Sequence, residues 1–366
     1  MSRVWLPCGH YHDNYAKDQG WWKTPVIKFK MLLLLGIVLL GVPLLLPGYW
    51  IGVCTMIGYT AMGALGVQLL IGYTELITLG HGAFIAVGAY TSTMLLLHFP
   101  WPQVLVDLGL AYPLTIVAAG LIAGIWCVIF GLPTARVKGF YFILTTIAAQ
   151  FITVDLILTQ YVSKIGGRAQ SIKIPSDAAQ IGPWTMTGDV KPYLLMAVLL
   201  ILMVMVTANL LRTKRGRAWM AIRDNDIAAS TMGISVFYHK LLAFFVAGAM
   251  AGVAGAFWVS NTSAMSPEHF PWFLSLKLVG VILIGGFGSI HGAIFGAAFW
   301  VLVGEFLQMG VLPLADYWPN VLMSFTFLKT AIFGLIICAF LNLEPHGLAY
   351  RWWQIKNYFN LWPFSY

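Results

Sequence analysis

The chain has 366 residues, of which 60% are hydrophobic and only 9% are charged, and its mean hydropathy is +0.82. Soluble domains carry roughly 25% charged residues, so this composition excludes a water-exposed globular fold and predicts a chain surrounded mostly by lipid. The formal net charge of +8 does not indicate nucleic-acid binding, because the cations flank apolar runs and no folded basic domain is available to carry it.

Apolar runs of roughly 20 residues, the length of a membrane span, follow one another along the chain. They predict an all-α polytopic membrane protein with about ten transmembrane helices (8–10) and several helix breaks. The predicted domains are an N-terminal tail 1–30, a transmembrane domain 31–341 and a C-terminal tail 342–366. The predicted spans are 31–47, 50–71, 83–98, 112–132, 140–160, 193–211, 237–260, 273–290, 291–309 and 319–341.

Lysine and arginine placement predicts the orientation, because these residues concentrate in cytoplasmic loops. With both termini in the cytoplasm, the outside receives only Lys164, Arg168, Lys173 and Lys191. Residues 161–192 then form a periplasmic loop, and residues 212–236 form a charged cytoplasmic loop. His10, His12 and Asp13 belong to a solvated tail in this interpretation, and no metal site is predicted.

A polar segment, Gly72–Phe84, interrupts the apolar runs after the second predicted span. It holds glycines at 72, 80 and 82, and its candidate pathway residues are Tyr73, Thr74, Glu75, Thr78 and His81. Irregular backbone at membrane depth is tolerated only where protein or a water-filled cavity satisfies its polar groups. Two interpretations stay open: a broken or re-entrant helix lining a solute path, or a short cytoplasmic turn.

A second break is glycine-rich and covers residues 279–296. Its candidate pathway residues are Gly285, Gly286, Gly288, Ser289 and His291. Both breaks contain the tripeptide His-Gly-Ala, and paired interruptions mark binding sites in many transporters. Close packing of small residues between membrane helices explains the repeated tripeptide equally well. No G-x-x-x-x-G-K-[ST] motif occurs in the chain, so no nucleotide or other cofactor is expected here and any ATP must be hydrolysed by another subunit.

The charged loop contains a predicted amphipathic helix, Gly216–Gly233, with Gly233 as its C-terminal stop. Such a helix docks its apolar stripe either in a groove of a partner protein or on lipid headgroups. Its acidic residues, Asp224 and Asp226, favour the partner, because inner-leaflet lipids are anionic.

Four ionisable residues fall inside predicted spans and are candidates for function on that ground. Asp155 and Lys277 lie near span ends, where they can reach the interface. Glu305 and Lys329 lie deeper, where they could pair across adjacent helices.

Five ordered segments resemble the branched-chain amino acid (Liv-type) ABC transporter permeases, and specifically their LivM-like subunit. The segments are Gly72–Phe84, Arg136-Val-Lys-Gly-Phe-Tyr-Phe142, Ile165-Gly-Gly-Arg168, Gly216–Gly233 and Gly285-Gly-Phe-Gly-Ser289. The resemblance implies a multi-pass protein of the bacterial inner membrane that forms a heterodimer with a LivH-like permease. It also implies two cytoplasmic ABC ATPases, which bind ATP and Mg, and a periplasmic solute-binding protein.

The resemblance further implies that Gly216–Gly233 is the coupling helix that contacts an ATPase. The residues it assigns to this contact are Gly216, Arg217, Ala221, Arg223, Asp224, Asn225, Ala228, Ala229 and Gly233.

The chain departs from the family pattern at the first break, where Glu75-Leu76 stands in place of the usual Gly-Gln and Thr78 in place of Ser. The same fold also serves urea and short amides, so a urea-type permease is an alternative to a branched-chain amino acid permease. An ion-coupled secondary transporter or channel, using Glu75 or Glu305, is a further alternative. No catalytic constellation points to a membrane enzyme.

Overall fold

The computed structural model describes residues 25–137, 139–165, 172–173, 180–181, 184–185, 188–262, 264–315 and 320–361. Most of the predicted N-terminal tail, much of the predicted periplasmic loop and the last five residues therefore lie outside the described residues.

The first half of the described chain is a series of helices separated by short turns. Helix α1 continues through a π-helical stretch, Ile37–Gly41, into α2, and α7 continues through the π-helical stretch Ile152–Leu158 into α8. The helices are α1 Pro25–Gly36, α2 Val42–Leu45, α3 Gly48–Thr74, α4 His81–His98, α5 Gln103–Asp107, α6 Ala111–Thr134, α7 Phe140–Phe151 and α8 Thr159–Ile165.

The second half holds two short surface helices and five longer ones, together with a C-terminal helix. A 3-10 turn, Pro267–His269, precedes α13. The helices are α9 Val190–Arg212, α10 Lys214–Asp224, α11 Asp226–Thr231, α12 Val236–Thr262, α13 Trp272–Gly285, α14 Ile290–Ala315, α15 Asn320–Leu343 and α16 Leu348–Leu361.

Four two-residue strands complete the described elements. Strand β1, Ile172–Lys173, pairs antiparallel with β4, Ala264–Met265. Strands β2, Gln180–Ile181, and β3, Trp184–Thr185, form a small hairpin. The β1–β4 pair shows that the predicted periplasmic loop and the turn after α12 lie on one face of the bundle.

Within the described residues, eight helices are long and apolar enough to cross a membrane, or nine if the bent pair α15–α16 counts as one span. This confirms the prediction of an all-α polytopic membrane protein with eight to ten spans. The predicted span 83–98 is not among the eight, although its residues form most of α4.

Helix α3 is the centre of the bundle, because most of its residues are buried by neighbouring helices. Small residues allow the other central helices, α4, α6 and α12, to approach closely, as is common in membranes. A Cβ at Gly88 in α4 would overlap the backbone of Gly252 in α12. By contrast α1 exposes Leu32, Leu33 and Leu34, as expected of a helix whose environment is lipid or another chain.

The bundle has two ends, which we name by their elements. The β face carries β1 and β4, and the α10 face carries α10, α11 and the turn between α13 and α14. Helix α3 runs from the β face to the α10 face. Both breaks predicted from the sequence pack against the half of α3 nearer to the α10 face.

Candidate functional site

The first break is a re-entrant segment. Helix α3 ends at Thr74, and Glu75 takes a left-handed conformation with φ 56°. The chain then turns back so that the fully buried His81 lies against Gly66, where an added Cβ would come within 2.7 Å of the imidazole Nε2. Gly66 precedes Thr74 by eight residues, which is about 12 Å along a helix. Helix α4 therefore begins inside the bundle, not at its surface.

The free N–H groups at the start of α4 are capped by side chains from two other helices. The N–H of Gly82 donates to Ser275 Oγ at 2.8 Å, and the N–H of Ala83 donates to Gln150 Oε1 at 2.6 Å. Gln150 Nε2 in turn donates to the carbonyl of Phe270 at 3.0 Å. Side chains of the protein thus form the hydrogen bonds that the backbone at the break would otherwise lack inside the bundle. The geometry is that of a broken helix, and its role in lining a solute path stays a prediction.

The predicted pathway residues of this break differ in exposure. Tyr73, Thr74 and Thr78 are buried, whereas Glu75 is exposed. The hydroxyl of Thr74 donates to the carbonyl of Leu70 at 2.6 Å, and Thr78 Oγ1 accepts from the N–H of Gly80 at 3.3 Å. Thr74 is thus bonded within α3 and Thr78 within the turn, and Glu75 is the polar side chain that remains accessible.

The second break packs against the same helix α3. Gly286 and Gly288 have positive φ angles of 111° and 70°, a conformation that glycine adopts without steric cost. Gln68 Nε2 donates to the carbonyls of Gly286 at 3.2 Å and Ser289 at 3.0 Å. A Cβ at Gly72 would stand 2.6 Å from the backbone nitrogen of Gly288. The two breaks therefore share α3 as a common support.

The two histidines of the His-Gly-Ala echo have different environments. His81 is buried against α3, whereas His291 is exposed at the start of α14. Ser289 Oγ accepts from the N–H of Gly292 at 3.3 Å and so closes the second turn. Similar sequences thus lead to different positions, and the structure does not bring His81 and His291 into one site.

The predicted amphipathic helix is two helices, α10 and α11, divided at Asn225. Asn225 Oδ1 accepts from the N–H groups of Ile227 at 3.0 Å and Ala228 at 3.1 Å, which caps α11. At the other end, Gly233 has φ 81°, and the N–H of Ile234 donates to the carbonyl of Ala229 at 3.1 Å. This is a Schellman ending, so Gly233 stops the helix as expected.

The apolar stripe of α10 faces the chain's own bundle, which differs from the docking expected from the sequence. Trp219 is fully buried and its Nε1 donates to the carbonyl of His239 at 2.8 Å, and Ile222 is buried beside it. The apolar side chains left exposed are Ile227 and Met232 of the α11 region, at 68% and 85%. A partner would therefore meet the α11 end of this segment.

The residues assigned to ATPase contact also fall into a group buried against the chain's own bundle and a group exposed at the surface. Gly216 and Ala229 are buried inside the chain, and Ala221 and Arg223 are half-buried. The exposed members are Arg217, Asp224, Asn225, Ala228 and Gly233.

Arg223 connects this surface segment to the broken helices. Its Nη1 donates to the carbonyl of Gly72 at 3.2 Å, near the end of α3, and its Nε and Nη2 donate to Asp224 Oδ1 at 3.2 and 3.1 Å. The same Nη1 stands 3.3 Å from where a Cβ of Gly288 would lie. One side chain thus contacts α3, faces the second break and belongs to the exposed helix.

The ionisable residues within the spans do not pair as the sequence suggested. Glu305 Oε2 accepts from the hydroxyl of Tyr49 at 2.5 Å, and among the residues that the structure describes it forms no ion pair with Lys329. Lys329 lines a cavity between α14 and α15. Lys277 lies over the ring of Trp300 at 5.3 Å, and Asp155 is exposed within the π-helical stretch. The predicted Glu305–Lys329 pair is wrong, because a tyrosine from α3 lies nearer to the carboxylate.

Sequence reasoning missed Gln68, Gln150 and Ser275, which hold the two breaks in place. Each is an uncharged polar residue that is almost fully buried. The available signal was the presence of glutamine within an apolar run, which needs a partner as strongly as a charged residue does.

Comparison of the sequence with known proteins identifies the family. The family model described as the branched-chain amino acid transport system / permease component matches residues 49–341. No solved structure matches the chain.

Three relatives illustrate the similarity. The high-affinity branched-chain amino acid transport system permease protein LivM of Escherichia coli K12 is 30% identical over 70% of this chain and 63% of its own length. The probable branched-chain amino acid transport permease protein LivM of Methanocaldococcus jannaschii is 24% identical over 83% of this chain and 85% of its own. The autoinducer 2 import system permease protein LsrC of Photorhabdus laumondii is 30% identical over 38% of this chain and 44% of its own.

The match therefore spans less than two thirds of the Escherichia coli relative. Together with the apolar spans, the family describes a multi-pass protein of the bacterial inner membrane. The family model covers four fifths of the residues, including both breaks and the α10–α11 segment, and the chain belongs to the family of permease components of branched-chain amino acid transport systems.

Proposed function

We propose that this chain is a permease subunit of an ATP-binding-cassette importer that moves branched-chain amino acids or related small solutes across the inner membrane. The family match supports the transport role. The relatives named LivM support the solute class. The absence of a G-x-x-x-x-G-K-[ST] motif from the sequence supports an energy source outside the chain.

The contact between Arg223 and Gly72 carries this proposal. It joins an exposed segment to the end of the central helix, beside the second break. A protein that used only an ion gradient would have no need to tie its broken helices to a surface segment of this kind. An importer driven by separate ATPases needs such a connection, because the energy arrives at the surface.

The partners in this proposal are a LivH-like permease, two ABC ATPases that bind ATP and Mg, and a periplasmic solute-binding protein. The α10 face is cytosolic, and the exposed residues Arg217, Asp224, Ile227 and Met232 meet an ATPase. The mixture of charged and apolar side chains is typical of a docking surface. The binding protein supplies most of the solute selectivity.

The mechanism is alternating access. ATP binding closes the two ATPases, and α10 and α11 move with them. Arg223 transmits the movement to Gly72, and the backbone contact of Gly72 with Gly288 transmits it to the second break. Since the two breaks share α3, the same movement changes the tilt of both and opens the path toward one side.

The test is uptake by liposomes that contain the chain with or without its ATPase and permease partners. Uptake against a gradient is expected only with the partners and ATP present. Accumulation by the chain alone would refute the proposal and favour a secondary transporter. Thermal-shift screening of the cognate binding protein against amino acids, urea and short amides then identifies the solute.

A further inference from the structure

The C-terminal helix α16 lies beyond the family match, which ends at residue 341. It follows α15 after a bend of 47° between Phe327–Leu343 and Leu348–Tyr358. Arg351 Nε donates to Glu344 Oε1 at 2.7 Å across the bend. This hydrogen bond holds the pKa of Glu344 below its ordinary value. The bend is therefore a turn held by a specific hydrogen bond, and α16 has a defined direction relative to α15.

The bend packs directly on the second break. A Cβ at Gly347 would stand 2.5 Å from the backbone nitrogen of Gly286, and a Cβ at Gly286 would stand 2.8 Å from the carbonyl oxygen of His346. Such spacing leaves no room for side chains between the two backbones. The position of α16 is thus tied to the turn that contains Gly286 and Gly288.

One side of α16 is apolar. Leu348, Trp352 and Ile355 follow the i, i+4, i+7 spacing of a helical stripe. Gln354 and Asn357 lie on the opposite side, beside the stacked rings of Tyr350 and Trp353. Trp352 and Ile355 nevertheless remain 54% and 49% exposed, so the bundle covers only part of the stripe.

The depth of this stripe indicates what covers the rest. The ring of Trp352 packs on Phe295 with centroids 5.9 Å apart. Phe295 is five residues into α14, which is about 7.5 Å from the start of that span. This is the depth to which interfacial helices bury their apolar face, about 5–10 Å.

We infer that α16 is an interfacial helix whose Leu348–Trp352–Ile355 stripe is covered by phospholipid. Trp352, within the stripe, is of a residue type enriched at membrane interfaces, and Lys356 favours the anionic headgroups of the inner leaflet. Lipid contact with α16 then stabilises the packing of the His346–Gly347 bend on the second break. This inference does not depend on which solute the permease carries.

The test is photocrosslinking in native membranes, with the intact chain and its natural partners. A benzophenone amino acid is placed at Ile355 or at Asn357, which lie two residues and about 200° apart around the helix. Phospholipid adducts, detected by mass, are expected at Ile355 and not at Asn357. A protein adduct at Ile355, or lipid adducts no more frequent there than at Asn357, would overturn the inference.

Limited proteolysis provides a second measurement that needs no crosslinker. Trypsin cleavage after Lys356 is expected to accelerate severalfold in Ile355→Asn, because the stripe no longer stays in the interface, and to stay unchanged in Asn357→Gln. Equal cleavage of the two variants would count against lipid as the partner.

Discussion

Arg223 Nη1 donates to the carbonyl of Gly72 at 3.2 Å, and this bond joins positions 151 residues apart. Gly72 in turn stands so close to Gly288 that no Cβ fits between them. Arg223 also faces Gly288 directly, so α10 lies beside both the end of α3 and the glycine-rich break. This contact gives α10 a short physical connection to the transmembrane breaks.

Arg223→Ala is expected to reduce ATP-dependent uptake about tenfold while membrane insertion and ATP hydrolysis persist. A hydrogen bond from a charged donor contributes about 1.5 kcal/mol, here at the low end of the range because the side chain is 40% exposed. Arg215→Ala is the matched control, since Arg215 is an exposed arginine of the same helix and forms no hydrogen bond or ion pair with any residue that the structure describes. Uptake and ATPase assays on one preparation separate the two effects, and full uptake by Arg223→Ala would contradict the coupling role.

The sequence predicts the parts of this connection but not the connection itself. Gly72, Arg223 and Gly288 all fall in segments selected for function, because glycine breaks and a charged loop stand out in an apolar chain. The acceptor for Arg223 is a backbone carbonyl, which every residue offers equally. Only the packing of α10 on α3 decides which carbonyl the guanidinium reaches.

Gln150→Leu is expected to destabilise the chain by about 2–4 kcal/mol, because the carbonyl of Phe270 and the hydroxyl of Ser275 both lose their bond to this side chain. The N–H of Ala83 keeps only its longer bond to the carbonyl of Gly80, at 3.2 Å. Ser275→Ala removes the acceptor for only one N–H, that of Gly82, and is expected to cost less. Thermal unfolding in detergent measures both. A Gln150→Leu variant as stable as the parent would mean that the start of α4 is held by other contacts.

Gln150 also shows where prediction from the sequence stops. Selecting ionisable residues inside spans identifies Glu305 and Lys329, whose proposed pairing is wrong, and omits the glutamines that organise both breaks. Which side chain reaches the Glu305 carboxylate depends on the relative offset of the neighbouring helices. In this structure it is Tyr49 of α3 that donates a hydrogen bond to it. Apolar length predicts spans reliably, whereas their relative rotation follows from small-residue packing that hydropathy does not describe.

Gly72→Ala is expected to destabilise the chain by about 1–3 kcal/mol and to impair uptake, because its methyl group would force α3 away from the Gly288 backbone. Gly52→Ala on the same helix is the control, since an added Cβ there meets nothing within 4 Å. The control is expected to be neutral or slightly stabilising, given the higher helix propensity of alanine. Equal melting temperatures for the two variants would mean that the α3 contact with the second break is loose.

Asn225→Ala is expected to weaken coupling without unfolding the bundle. The side chain caps α11 through the N–H groups of Ile227 and Ala228, and loss of such a cap costs about 1 kcal/mol. Helix α11 has only six residues, so this loss frays much of it and displaces the exposed Ile227 and Met232.

Asn225→Asp retains an acceptor at the same position and is expected to behave like the parent. Co-purification of the ATPase with each variant, together with thermal unfolding, distinguishes local fraying from global loss. Retention of the ATPase by Asn225→Ala at the parental level would show that α11 is not the docking element and would move the contact to Arg217 and the exposed side of α10.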